Sequence, residues 1–290
     1  MAQSHILVGA TEAPQPAIRT VTINDLKDAL REGWTDFAAM PSHAIFLCII
    51  YPVVGIVLAQ LIFGYAILPF LYPLAAGFAL IGPIAALGLY ELSRRREAGL
   101  ETSASNALDV LHSPSIGAIT ALGLLLLAIF FIWIAAAHAI YVANFGYAMP
   151  ASVSEFISNL FTTRAGWSLI IIGNLVGFVF AVIALMLSVV SFPMLLDRDV
   201  GAATALSASV RLVAENPATM ALWGLIVAAL LLIGSLLFFI GLAVVIPVLG
   251  HATWHLYRKA IDAHDSPPAE FRQRPHVQRY AADFPAALFK

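Results

Sequence analysis

Apolar residues in this chain fall into long runs separated by short polar stretches. Six runs are long enough to cross a bilayer: 43–63, 68–90, 116–141, 167–191, 218–238 and 241–257. About 20 residues at 1.5 Å rise per residue span the hydrocarbon. Such runs must be helical, because lipid offers an open backbone group no hydrogen-bond partner. The last two runs have no charged residue between them, and length alone divides them at Gly241.

Between the runs the pattern changes to a helical period. Ile23, Leu26, Leu30, Trp34 and Phe37 recur at spacings of three and four, on one face of a predicted helix. Asn24, Asp25, Lys27, Asp28, Arg31, Glu32 and Asp36 take the other face. Thr22 with Asp25 reads as a capping box. The apolar face suits a helix lying in the headgroup plane or packed on the ends of the bundle. Val200, Ala203, Leu206, Val210 and Val213 repeat the pattern before the fifth run, with Asp199 as N-cap, and a shorter stretch, 106–111, precedes the third. Each stretch leads to a proline, at Pro41, Pro114 and Pro217. Ser113 and Asn216 suit the N-cap, and the proline after each suits the first helical position. The pattern predicts three parallel copies of one unit, an interfacial helix plus a transmembrane hairpin. The middle copy departs most, with an outer loop over 144–166 that holds a short helical stretch at 154–160.

Composition agrees with a polytopic membrane protein. The 290 residues are 61% hydrophobic and 11% charged, with a mean hydropathy of +0.89, where a soluble domain is roughly 45–50% apolar and about 25% charged. An ordinary soluble enzyme and a disordered chain are excluded. The net charge of −2 leaves no footprint for nucleic acid. Cys48, the single cysteine, rules out an intrachain disulfide and a cysteine zinc site.

Charge also sets orientation. Of the 15 Lys and Arg residues, only Arg164 falls on the far side of the six predicted spans. The positive-inside rule then places both termini in the cytoplasm. Glu155 is likewise the one acid outside. Residues 1–20, with Pro14 and Pro16, read as a flexible tail rather than a signal peptide. Residues 21–260 form the membrane domain. Residues 261–290, broken by Pro267, Pro268, Pro275 and Pro285, form a flexible cytoplasmic tail.

The six runs hold no Asp, Glu, Lys or Arg in their interiors, which argues against a proton-coupled transporter. Gly173, Asn174, Gly177 and Ala181 give the fourth span a small-residue face with an amide on it, suited to close helix packing. His251 and His255 are four apart and share a face of the sixth span. Imidazoles so spaced could ligate a metal or haem. No carboxylate or cysteine completes a set, so hydrogen bonding within the aromatic belt of Trp254 and Tyr257 is the favoured reading, with no cofactor and no metal. Arg94, Arg95 and Arg96 read as a topological anchor. Asp197, Arg198 and Asp199 read as a salt-bridged loop before the next helix. No catalytic motif occurs, and the chain reads as non-enzymatic.

The stretch Phe192-Pro193-Met194-Leu195-Leu196-Asp197-Arg198, followed by Pro247-Val248-Leu249-Gly250-His251-Ala252-Thr253-Trp254-His255-Leu256-Tyr257-Arg258, resembles an uncharacterised bacterial membrane family, domain of unknown function 2189. The resemblance covers about 21–260, and the second block is its most specific part. It implies a bacterial inner-membrane protein and brings no activity. A vaguer likeness to the membrane domain of some glycerophosphodiesterases lacks their catalytic domain. The expected function is a scaffold, assembly factor or accessory subunit, with the lipid bilayer and other membrane-protein subunits as partners and no nucleic acid. The alternatives are a channel or carrier for a small apolar or lipid-like molecule, and a haem or metal subunit.

Overall fold

The computed structural model describes residues 15–40, 71–80, 82–147, 150–236, 240–262, 266, 268 and 269. The first predicted span, with His43, Cys48 and Gln60, lies outside them, as does the 270–290 part of the tail. The described chain is all-α apart from one short strand pair. In order, the elements are β1 (Ala17–Ile18), α1 (Ile23–Ala39), α2 (Leu71–Leu80), α3 (Gly82–Ala85), α4 (Leu87–Glu97), a 3₁₀ helix (Ala104–His112), α5 (Ile116–Phe145), α6 (Val153–Thr162), α7 (Arg164–Ser188), α8 (Ser191–Asp197), α9 (Ala202–Glu215), α10 (Pro217–Leu236), α11 (Leu242–Ala260) and β2 (Ile261–Asp262).

Three helical stretches are long and apolar enough to cross a membrane: Ile116–Phe145, Arg164–Asp197 and Pro217–Leu236. They correspond to the third, fourth and fifth predicted spans. Large apolar side chains stay exposed along them, among them Leu124, Phe131, Leu175, Phe178, Leu225 and Leu232. The second predicted span is divided among α2, α3 and α4, with Pro73 and Pro83 in its path. The sixth corresponds to α11, which does form a helix beginning after Gly241. Its second half carries His251, His255, Arg258 and Lys259, and α11 is not among the helices apolar enough to cross.

Trp133 organises the packing of α2, α5 and α7. Its indole donates to the Pro73 carbonyl at 2.8 Å. Its ring packs against Phe180 and lies so close to Gly177 that a Cβ there would stand 3.1 Å from the indole. Tyr72 donates to the Asn174 side chain at 2.8 Å. Asn174 and Gly177 therefore face neighbours. Gly173 has open space beside it among the described residues, and Ala181 is exposed.

The main core lies at one end of this bundle, where α5 and α10 begin and α7 ends. The residues 191–196 of α8 are all buried there, between α4, α9 and α11. At the same end α1 crosses α11 almost backbone to backbone, since a Cβ on Gly33 would stand 2.6 Å from the Ala252 nitrogen. Thr22 and Asp25 form the expected capping box of α1. Other caps differ. The N-cap of α9 is Gly201, not Asp199, and that of α5 is Ser115, not Ser113. Asn216 precedes Pro217 as expected, but its side chain is used elsewhere: its Oδ1 accepts from the Val21 nitrogen at 2.8 Å. That bond, with the antiparallel pairing of Ala17–Ile18 to Ile261–Asp262, ties down residues just inside both predicted tails. β1 here finds a strand partner that no local sequence signal announces.

Candidate functional site

The 247–258 block of α11 faces α1, α4 and α8, and the charged residues of the core end meet there. Asp36 is the hub. Its Oδ2 accepts from the Ser93 hydroxyl at 2.6 Å and from His255 Nε2 at 2.9 Å, and its Oδ1 accepts from Arg96 at 2.8 Å. The helical spacing of large apolar residues puts Asp36 on the solvent face of α1, yet it is buried. Burial raises its carboxyl. The hydrogen bonds from His255 and Ser93 and the nearby positive charge outweigh that and hold it below the ordinary value.

His251 and His255 both lie in this layer. His255 is placed between two acids, with Nδ1 3.2 Å from Glu32 and Nε2 on Asp36; Lys259 also reaches Glu32 at 3.2 Å. His251 is completely buried, and its Nδ1 lies 2.8 Å from the Ser93 oxygen. The single Ser93 proton goes to the Asp36 carboxylate, so Nδ1 of His251 carries the proton of that second bond. Its Nε2 has no partner of hydrogen-bonding geometry among the described residues. The described residues contain no group of three or more His, Cys, Asp or Glu side chains arranged to hold a metal.

Two further acids cross-link the layer. Glu97 on α4 accepts from the Trp254 indole and from Arg258, each at 2.9 Å. Asp197, at the end of α8, accepts from the Tyr257 hydroxyl at 2.7 Å, from Arg198 at 3.0 Å and from Arg258 at 3.3 Å. Glu91 is wholly buried and takes both nitrogens of the Arg94 fork at 2.8 Å. Burial raises the Glu91 carboxyl, and Arg94 works against it. Arg95 bonds the Glu101 carbonyl and pairs with Asp109, and Arg96 bonds the Thr35 carbonyl besides Asp36. Of the three arginines, Arg94 pairs within α4, Arg95 ties α4 to the 3₁₀ helix and Arg96 ties it to α1.

Both blocks that carry the family resemblance are in this layer. The first supplies the buried α8 and Asp197, and the second supplies the α11 face that closes on it. Residues 71–197 match the model of a family described as a predicted integral membrane protein, DUF2189. The DUF2189 match runs from α2 to the end of α8. It is narrower than 21–260 and stops before the 247–258 block. No curated protein and no solved structure matches the chain. The DUF2189 description gives no activity, so the roles of Asp36, Glu91, Asp197 and the two histidines rest on geometry alone.

Proposed function

We propose that this chain is a non-enzymatic scaffold or accessory subunit of a bacterial inner-membrane complex, with both termini on the cytoplasmic side. One observation carries the reading. The acids of the core end, the buried or part-buried Asp36, Glu91 and Asp197 and the exposed Glu97, are each occupied by donors from the chain itself. Ionisable groups used this way clamp helices in register and leave no base or acid poised toward a substrate. The α7 flank complements this, since Ile171, Ile172, Leu175, Phe178 and Val179 are exposed. A rigid core end and an open apolar flank suit a part that docks in the membrane plane. The proposed unit, a cytoplasmic-side helix followed by a membrane hairpin, supplies the architecture. Helical elements do precede α5 and α10, at Ala104–His112 and Ala202–Glu215.

Reconstitution tests the reading. The full chain in liposomes is expected to carry no solute flux and no lipid scrambling above empty vesicles. In native nanodiscs it is expected to stay with one defined membrane protein at constant ratio. Flux that depends on the protein would overturn the scaffold reading in favour of a channel or carrier.

A further inference from the structure

Helix α6 joins α5 to α7 at the end of the bundle away from the ionic layer. None of its ten residues is buried. Its faces are nonetheless sorted. At 100° per residue, Val153, Phe156, Ile157, Leu160 and Phe161 fall in one arc of about 140°. Ser154, Glu155, Ser158, Asn159 and Thr162 fill the remainder. Val153, Ile157 and Phe161, at successive i, i+4 positions, are 47%, 49% and 57% exposed. The helix starts without help from the bundle. Ser152 Oγ accepts from the Glu155 nitrogen at 3.1 Å, and the Glu155 carboxylate accepts from the Ala151 nitrogen at 2.9 Å. Glu155 is the one ionisable side chain on α6, and this cap uses it.

Two links fix where the apolar stripe must lie. First, α6 is tethered at both ends to helices long and apolar enough to cross a membrane, so it cannot leave the plane in which they end. The corner into α7 is tight: a Cβ on Gly166 would fall on the Asn159 and Leu160 carbonyl oxygens. Second, the stripe is continuous with the exposed face of α7. The Trp167 indole donates to the Phe161 carbonyl at 3.0 Å, and both Trp167 and Ile171 are exposed.

We propose that α6 is an interfacial helix. Its Val153–Ile157–Phe161 face enters the headgroup–acyl boundary of the leaflet opposite the ionic layer, and Trp167 is its aromatic anchor. The occupant of this face is the lipid surface. With no cation on α6, the attachment is apolar and does not depend on anionic lipid.

Site-directed spin labelling of the full chain tests this. The background is Cys48→Ser, with single cysteines replacing Ile157, Phe161, Ser154 or Ser158 and a nitroxide attached to each. All four sites are exposed, so each opposed pair controls for the fold of the other. In phosphatidylcholine liposomes the labels at 157 and 161 should be open to oxygen and several-fold protected from a water-soluble nickel chelate. The labels at 154 and 158 should show the reverse. The same contrast should persist in vesicles containing phosphatidylglycerol. Equal nickel access on both faces would place α6 in water and overturn the proposal. Shielding of both faces from both reagents would mean that a protein covers α6, and would overturn it equally.

Discussion

A carboxylate removed from water must be met by donors, or its burial costs more than the fold can bear. Asp36 is met by three, from α4 and α11, and it therefore couples three helices through one side chain. Asp36→Ala should lower the unfolding free energy by about 2–3 kcal/mol, below the usual loss for a buried pair because Arg96 keeps part of its hydration. Thermal unfolding in detergent would measure it. The pH dependence has a definite sign. Asp36 binds its proton less readily in the folded chain than in the unfolded one. Its stabilisation is complete above the ordinary carboxylate range and is lost as the pH falls through that range and below. Asp36→Asn should remove this share of the acid slope, and an unchanged slope would show that Asp36 is not the hub. The residue is legible in the sequence only if small residues count. Leu26, Ala29, Gly33, Asp36 and Met40 follow spacings of three and four, and all five are buried. A reading weighted by large side chains rotates the buried face toward Trp34, which is 54% exposed.

The small residues decide the geometry of whole elements as well. Gly33 lets α1 approach the Ala252 backbone, so a methyl group there collides with atoms that cannot turn aside. Gly33→Ala gains about 1 kcal/mol of helix propensity. Overpacking should cost roughly 1–3 kcal/mol, which makes the net effect destabilising. Ala252→Gly should not restore stability, because the closest clash is with the nitrogen; full rescue would show that only side chains meet. Gly177→Leu should loosen α5 from α7 by a similar mechanism, since Trp133 fills the space. A Tm equal to that of the parent would remove this contact from the account. Helix extents of α1, α5, α7 and α10 follow from periodicity and apolar run length, which are local. The reach of Arg96 to Asp36 and the pairing of β1 with β2 are not legible in this way. Each depends on a partner distant along the chain.

At the scale of the molecule, the two ends of α5 face opposite environments. Its start packs on the ionic layer, where Ser115 bonds the Arg198 carbonyl at 3.4 Å. Its 30 residues then carry the chain about 45 Å along the axis, the full depth of a bilayer with headgroups, to the α6 loop. Arg94, Arg95, Arg96, Arg198 and Arg258 all belong to the near end, while among the described basic residues Arg164 alone stands at the far end. Basic residues held in ion pairs within the fold still count during insertion, because topology is decided before those pairs form. The near end is therefore expected on the cytoplasmic side, together with β1 and β2, which join the two ends of the described chain. A reporter fused at residue 290 should show cytoplasmic activity, and one inserted near Tyr147 the opposite. Moving Arg164 out by Arg164→Gln should leave both unchanged, since the asymmetry would become complete. Equal readings at the two positions would mean that the chain crosses an even number of times between Tyr147 and residue 290, so that α11 does not return it, and the ionic layer as a cytoplasmic face opposite the α6 loop would fall.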